Sequence, residues 1–327
     1  MKQKTWLLSL LACTALMGCG GGGGGASSEG GTPPPSAPSP VPVATIERFA
    51  AGVSFLSPKH MVFIGTNLFI ADQTAGGRIA ELDSLGQTLV LAGTVSVRNP
   101  LGVAVLSNGV YYTATDPSGY EGIYLLGSTS SLVSLSNSNN FGGMTFYSTN
   151  MLFVANGTSV LVYSSSDNFN ASTQSVVLTS PVALAADVNK SLVYASLGND
   201  TNAVASINPS NRAVNVLTQT NPTVWGPFSK PQGIAVASNG DAAYVVSHGS
   251  ASGDGGYISK VNTRTGVTEI IVSDSTGSWG ALPVGLCAPV GVAIDANSQY
   301  LYVSNGNTCT DSVHHQNHDQ ILKIKLP

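Results

Sequence analysis

Short runs of small or alternating apolar residues, separated by turn residues, recur along most of the chain. Pro100-Leu101-Gly102-Val103-Ala104-Val105, Pro181-Val182-Ala183-Leu184-Ala185-Ala186, Pro231-Gln232-Gly233-Ile234-Ala235-Val236 and Pro289-Val290-Gly291-Val292-Ala293-Ile294 are four copies of one strand-like motif, and weaker copies begin at Pro58 and Phe141. Each is followed by a short turn and an alternating apolar run, such as Leu68-Phe69-Ile70-Ala71-Asp72, Met151-Leu152-Phe153-Val154-Ala155-Asn156 or Tyr300-Leu301-Tyr302-Val303-Ser304-Asn305. Residues i, i+2 and i+4 of such a run share one face of a strand. Third strands are predicted at 78–83, 122–127, 160–163, 203–207, 257–262 and 320–326. Fourth strands are predicted at 88–92, 131–135, 174–178, 213–217 and 267–272.

The repeat starts lie 42, 41, 40, 50 and 58 residues apart, a period that suits a propeller blade of four short strands. The sixth unit lacks a fourth strand at its own end. Residues 45–52, Thr45-Ile46-Glu47-Arg48-Phe49-Ala50-Ala51-Gly52, resemble the fourth strand of the first unit in their closing Ala-Gly. Placed outside 320–326, they close the ring and leave no open seam. The predicted fold is an all-β, six-bladed propeller over residues 44–327, with the small first-strand residues at its crowded centre.

The pattern Pro-x-Gly-Val/Ile-Ala-Val/Ile, followed by Leu/Tyr-Tyr/Phe-Val/Ile-Ala/Ser-Asp/Asn, resembles the NHL repeat. Asp72-Gln73-Thr74-Ala75-Gly76-Gly77-Arg78-Ile79 resembles that repeat's Asp-x-x-Asn-x-Arg-Ile, with Gly where Asn is usual. The resemblance implies the fold and leaves activity open, because related propellers are scaffolds, lactonases, lyases and sensor domains. In the senescence-marker/gluconolactonase propellers a Glu, two Asn-like groups and an Asp bind a divalent metal. Here Ser57-Pro58-Lys59-His60 stands at the start of the first blade, without that Glu, which counts against lactonase activity.

Charged residues make up 9% of the 327, with 13 Lys+Arg against 17 Asp+Glu, whereas soluble proteins carry about 25%. The deficit excludes a helical bundle or coiled coil, whose exposed faces need Lys, Glu and Arg. The net charge of −4, with no basic cluster, excludes nucleic acid as a partner. At the N-terminus, Lys2 and Lys4 precede an uncharged stretch that is too short for a permanent membrane helix. It ends in Leu16-Met17-Gly18-Cys19, which resembles the lipobox of bacterial lipoproteins. The resemblance implies a signal peptide at 1–18 and a Cys19 carrying palmitate-type acyl chains, a durable membrane anchor. Gly20 after the cysteine, where Asp would be an inner-membrane signal, implies the outer membrane of a bacterial cell envelope. Residues 19–43, with Gly20 to Gly25 followed by a Pro-rich run, are expected to form a disordered tether.

Candidate chemistry gathers around the fifth and sixth blades. Loops joining second to third strands, and linkers joining one blade to the next, emerge on one face of a propeller, and the extra length falls there. Linkers 218–230 and 273–288 carry Trp225, Phe228 and Trp279, suitable anchors for a protein, peptide or glycan. Cys287 and Cys309 fall on the same face and are expected to form a disulfide in an exported compartment. Asp311, His314, His315, His318 and Asp319 combine imidazoles and carboxylates that suit a divalent metal, a solvated polar turn being the other reading. Second strands end in Asp72, Asp116, Asn156, His248 and Asn305, a polar ring at one channel mouth that would bind a cation or small polar ligand. Turn preference alone also places Asp and Asn there. His60 is expected to pack or cap. Two functions follow: a monomeric, non-enzymatic envelope lipoprotein that binds a partner through its loop face, or a metal-dependent, lactonase-like hydrolase or lyase at the channel mouth.

Overall fold

The computed structural model describes residues 45–73, 77–93, 99–115, 118–128, 131–134, 141–167, 169, 172–198, 201–219, 230–248, 256–273, 286, 288–306 and 319–327. The chain divides into two units, residues 1–41 and 42–327, and every described residue belongs to the second.

This unit opens with β1 (Ile46–Phe49). The first blade is β2 (Pro58–Ile64), β3 (Asn67–Asp72), β4 (Arg78–Leu82) and β5 (Thr88–Gly93). The second is β6 (Asn99–Leu106), β7 (Gly109–Thr115), β8 (Glu121–Leu125) and β9 (Ser131–Ser134). The third is β10 (Phe141–Ser148), β11 (Met151–Asn156), β12 (Ser159–Ser164) and β13 (Ser172–Val177). The fourth is β14 (Pro181–Asp187), β15 (Leu192–Leu197), β16 (Ala203–Ile207) and β17 (Val214–Gln219). The fifth is β18 (Pro231–Val236), β19 (Ala242–Ser247), β20 (Tyr257–Asn262) and β21 (Thr268–Ser273). The sixth combines β22 (Pro289–Ile294), β23 (Tyr300–Asn305) and β24 (Gln320–Lys325) with β1, in the order β1-β24-β23-β22.

The predicted ring is therefore closed as expected, with Ile46 opposite Ile324 and Phe49 opposite Ile321. The closing strand is shorter than the predicted 45–52. Ala50 adopts a left-handed φ of 56°, and the Val53 N–H donates to its carbonyl at 2.9 Å, so the chain turns away from the sheet.

The Pro-x-Gly motif has a structural meaning that its spacing does not reveal. In every blade the pairing of first and second strands slips just after the motif's first residue, for example between Pro58 and Met61, Pro100 and Val103, and Pro289 and Val292. Proline tolerates this place because it lacks an N–H, and a small residue suits a bulge. An added Cβ would lie 2.8 Å from the Gly142 carbonyl oxygen at Gly102, and 2.1 Å from that of Lys59 at Gly291. The backbones of neighbouring blades approach that closely.

Second strands are buried on both sides, Ala242 to Ser247 throughout, which explains their nearly continuous apolar runs. Among the described residues the core consists of six clusters, one between each pair of neighbouring blades. At the seam, Tyr302 of the sixth blade meets Phe49 and Phe63 edge-on, with centroids 4.8 and 4.7 Å apart. Hairpins between third and fourth strands are fixed by carboxylate or amide oxygens: Asp83 Oδ1 accepts from Leu85 and Gln87 N–H, and Asn262 Oδ1 from Arg264 and Thr265 N–H. These turns account for the polar residues that punctuate the repeat.

Candidate functional site at the channel mouth

First strands from all six blades line the central channel, which encloses a cavity of about 220 Å³. The side chains lining it are mostly apolar, with Phe63, Met144, Ile234 and Val292 among them, although more of its exposed wall is polar than apolar, and His60 is the titratable side chain in its lining. Alignment of the bulges shows how unusual that histidine is. Gly102, Gly143, Ala183, Gly233 and Gly291 hold the equivalent place in the other five blades. Room is made for the ring by the third blade, where a Cβ on Gly143 would lie 3.1 Å from His60 Cε1. The imidazole thus extends from the first blade to the third. His60 packs against the third blade at the axis, where the bulge directs it.

The residue before it brings a charge to a place that is uncharged in the other blades. Lys59 stands where Leu101, Gly142, Val182, Gln232 and Val290 stand elsewhere. Its carbonyl oxygen accepts a 2.8 Å hydrogen bond from Ser304 Oγ, which in turn accepts from the Gly291 N–H at 2.6 Å. Thr113 links the second blade to the third in the same way, and Ser196 the fourth to the fifth. Alternate blades carry the hydroxyl, while Ala71, Ala155 and Val246 occupy the place in the others. The last of these three relays fixes the backbone of Lys59.

His248 follows β19 at the same face. Its N–H donates to the Lys230 carbonyl at 3.3 Å, as Gly198 and Gly306 donate to Ser180 and Ala288 in the flanking blades. A second histidine thus occupies a position held by glycine in its neighbours. Its Nε2 is buried without a hydrogen-bond partner among the described residues. Burial lowers the pKa of both histidines to about 4, with Lys59 adding to the effect at His60 and Lys230 and Lys59 at His248. Both imidazoles are therefore neutral near pH 7. Burial also lowers the Lys59 pKa, opposed by the carboxylates of Asp319 and Asp72. Lys59, His60, Lys230, His248 and Asp319 thus form one electrostatic group contributed by the first, fifth and sixth blades.

Asp72 is fully buried and already engaged. One carboxylate oxygen accepts from the Leu56 and Ser57 N–H groups at 3.2 and 2.8 Å, and the other pairs with Arg78 Nε at 2.8 Å. Arg78 also donates to the Ser54 carbonyl and lies 5.7 Å above the Phe55 ring. The Asp…Arg-Ile motif is a clasp holding segment 54–57 against the first blade. Asn156 is partly buried and Asn305 fully buried at the ends of β11 and β23. Asp116, Trp225, Trp279, Cys287, Cys309, Asp311, His314, His315 and His318 lie outside the described residues. Among the described residues, no three His, Cys, Asp or Glu side chains converge as a metal site. Lys59 and Lys230 belong to no chemical motif of the sequence, although Pro58-Lys59-His60 set against Pro-x-Gly carries the signal.

No protein-family model matches the sequence, and no curated protein matches it. Solved structures do. A structural-genomics protein of unknown function from Bacteroides thetaiotaomicron aligns with a TM-score of 0.60 at 11% identity, over 86% of this chain and 76% of the other. A putative oxidoreductase (glucose dehydrogenase) from Thermus thermophilus aligns at 0.59 and 14% identity, over 86% and 99%. A chain of the nidogen/laminin complex aligns at 0.53 and 16%, over 74% and 86%. The likeness is one of fold.

Proposed function

We propose that this protein is a lipid-anchored binding propeller of the bacterial cell envelope, which receives a protein, peptide or glycan on the face where its blade-to-blade linkers emerge. One observation carries the reading. The four longest connections between strands, 220–230, 248–256, 274–288 and 306–319, all leave from that face, the same face whose mouth holds Lys59, His60 and His248. Connections on the opposite face are short, as in 65–66, 107–108 and 237–241. Long loops on one face of a rigid scaffold are where binding resides. The tryptophans at 225 and 279 in two of these connections supply anchors for such a partner. The propeller fold also occurs in a nidogen/laminin complex, which accords with its use as a binding platform. The Cys19 motif and the tether sequence support an outer-membrane anchor.

The test compares chemical cross-linking of the protein in cell envelopes with that of a Trp225→Ala/Trp279→Ala variant, followed by mass spectrometry. A partner captured by the parent and lost from the folded variant is the expected result. Identical capture by both, or turnover of a lactone or ester by the parent, overturns the reading. Lipid attachment is tested separately by metabolic labelling with a fatty acid, which Cys19→Ala is expected to abolish.

A further inference from the structure

We propose that the channel mouth is a carboxylate-binding site, in which an acidic group of the ligand is received by the Lys59 ammonium and the imidazole N–H groups of His60 and His248. The proposal rests on the binding reading of this face and names the chemistry at its centre.

Three independent features of the structure converge on it. Lys59 and His60 stand where the other five blades carry uncharged residues, with Gly or Ala at the second of the two places, and both lie in the bulge, outside the regular pairing of β2 with β3. Their positions are built. The Ser304 hydroxyl holds the Lys59 carbonyl at 2.8 Å, and glycine at 143 leaves the space that the His60 ring fills. Across the mouth, His248 Nε2 is buried with no hydrogen-bond partner among the described residues, an arrangement that costs free energy unless a ligand completes it.

The charge balance selects the class of ligand. The two histidines are neutral near pH 7, so each offers one N–H donor and adds no charge. Lys59 and Lys230 bring the formal positive charges of the mouth. Asp319 lies within electrostatic reach of Lys59, whereas the Asp72 carboxylate is already paired with Arg78. Among the described residues the formal charges at the mouth sum to about one positive charge, which matches a single carboxylate and falls short of a phosphate dianion. A cation is disfavoured by the two lysines, and among the described residues no metal-ligand cluster is present. The cavity beyond His60, with Phe63, Met144 and Ile234 among its lining residues, gives room for the remainder of a small acid. A carboxylate side chain or chain terminus of a polypeptide partner meets the same donors from outside.

The experiment is calorimetric titration of the purified full-length protein at low ionic strength with succinate, with an oligoglutamate peptide and with inorganic phosphate. Lys59→Met and His248→Leu are compared after circular dichroism shows that each is folded, and His60→Gly supplies the residue type of the other blades. Saturable one-site binding of succinate or the peptide is expected, weakened about tenfold by Lys59→Met and by His248→Leu through loss of a charge-assisted or buried hydrogen bond. Histidine NMR signals of His60 and His248 are expected to shift on titration. Tighter binding of succinate assigns the site to a free acid, and tighter binding of the peptide to a polypeptide partner. Absence of saturation by both, binding unchanged in Lys59→Met and His248→Leu, or phosphate binding as tightly as the carboxylates overturns the proposal. Tryptophan-dependent partner capture that survives Lys59→Met, together with no carboxylate binding, removes this site alone. Succinate binding in a protein that captures no partner removes the partner reading alone.

Discussion

Replacing Ser304 with alanine removes a single oxygen from a fully buried position, yet it breaks a relay of two hydrogen bonds, one within the sixth blade and one from the sixth blade to the first. The hydroxyl accepts from the Gly291 N–H at 2.6 Å and donates to the Lys59 carbonyl at 2.8 Å. Both backbone groups belong to bulges, so neither has a ladder partner to fall back on. A buried polar group left unpaired costs about 1–3 kcal/mol, and two orphans sharing one relaxation give about 2–4 kcal/mol. Urea denaturation followed by circular dichroism is the assay, with the parent's slope used to check that the same surface is exposed. Ser304→Thr is the control, because Thr113 performs the same task in the second blade with hydrogen bonds of 2.8 and 3.2 Å. A loss below about 0.5 kcal/mol in Ser304→Ala, within the range of an ordinary surface substitution, or a threonine variant as damaged as the alanine one, would refute the relay.

Other expectations follow from the same geometry. Gly291→Ala, which forces a Cβ to 2.1 Å from the Lys59 oxygen, should destabilise by about 1–3 kcal/mol as overpacking does. In contrast, Gly52→Ala, with nothing within 4 Å of its added Cβ, should be neutral in the same denaturation assay. Asp72→Ala strands Arg78 and the Leu56 and Ser57 N–H groups and should cost about 2–4 kcal/mol, read as a lower urea midpoint together with proteolytic cleavage within 50–57. The histidine pKa values of about 4 lie below the unfolded value of roughly 6.5, so the unfolded chain binds more protons between the two. The contribution of the two histidines to stability should be level above pH 7 and fall as pH drops from about 6.5 towards 4. A urea midpoint as high at pH 5 as at pH 7.5, or a loss undiminished in His60→Gly/His248→Leu, would contradict that origin. Thiol labelling of the denatured protein, read by peptide mapping, should find Cys287 and Cys309 unreactive until a reductant is added, and labelling of either one beforehand would exclude the disulfide.

Repetition makes the architecture legible in the letters alone. Pro-x-Gly followed by an alternating run appears, strongly or weakly, six times because each blade must place a bulge at the axis and a doubly buried strand behind it. The closing strand is legible because the sixth unit lacks its own fourth strand. What repetition conceals is the meaning of its exceptions. Lys59 and His60 read as a degenerate copy of the motif, and only the bulge geometry turns that degeneracy towards the channel. Asp72 reads as part of a polar ring at the mouth. In three dimensions it faces inward, because segment 54–57 needs an acceptor for its N–H groups and Arg78 needs a counter-ion. The alternation of Thr113, Ser196 and Ser304 is visible in the letters as well, but its purpose depends on a carbonyl of the next blade that no local pattern predicts.

The pairing of Ile46 with Ile324 also fixes an order of events during folding. It joins nearly the two ends of the domain, and closing so long a loop is entropically the most demanding step. Blades one to five can each assemble from neighbouring hairpins as they emerge, whereas β1 has no partner until the last strand has been delivered. Through that interval Ile46 and Phe49, both buried at the finished seam, remain on an unprotected strand edge of the kind that recruits other chains. Yield on refolding should therefore depend on protein concentration far more than the stability of the closed ring would suggest.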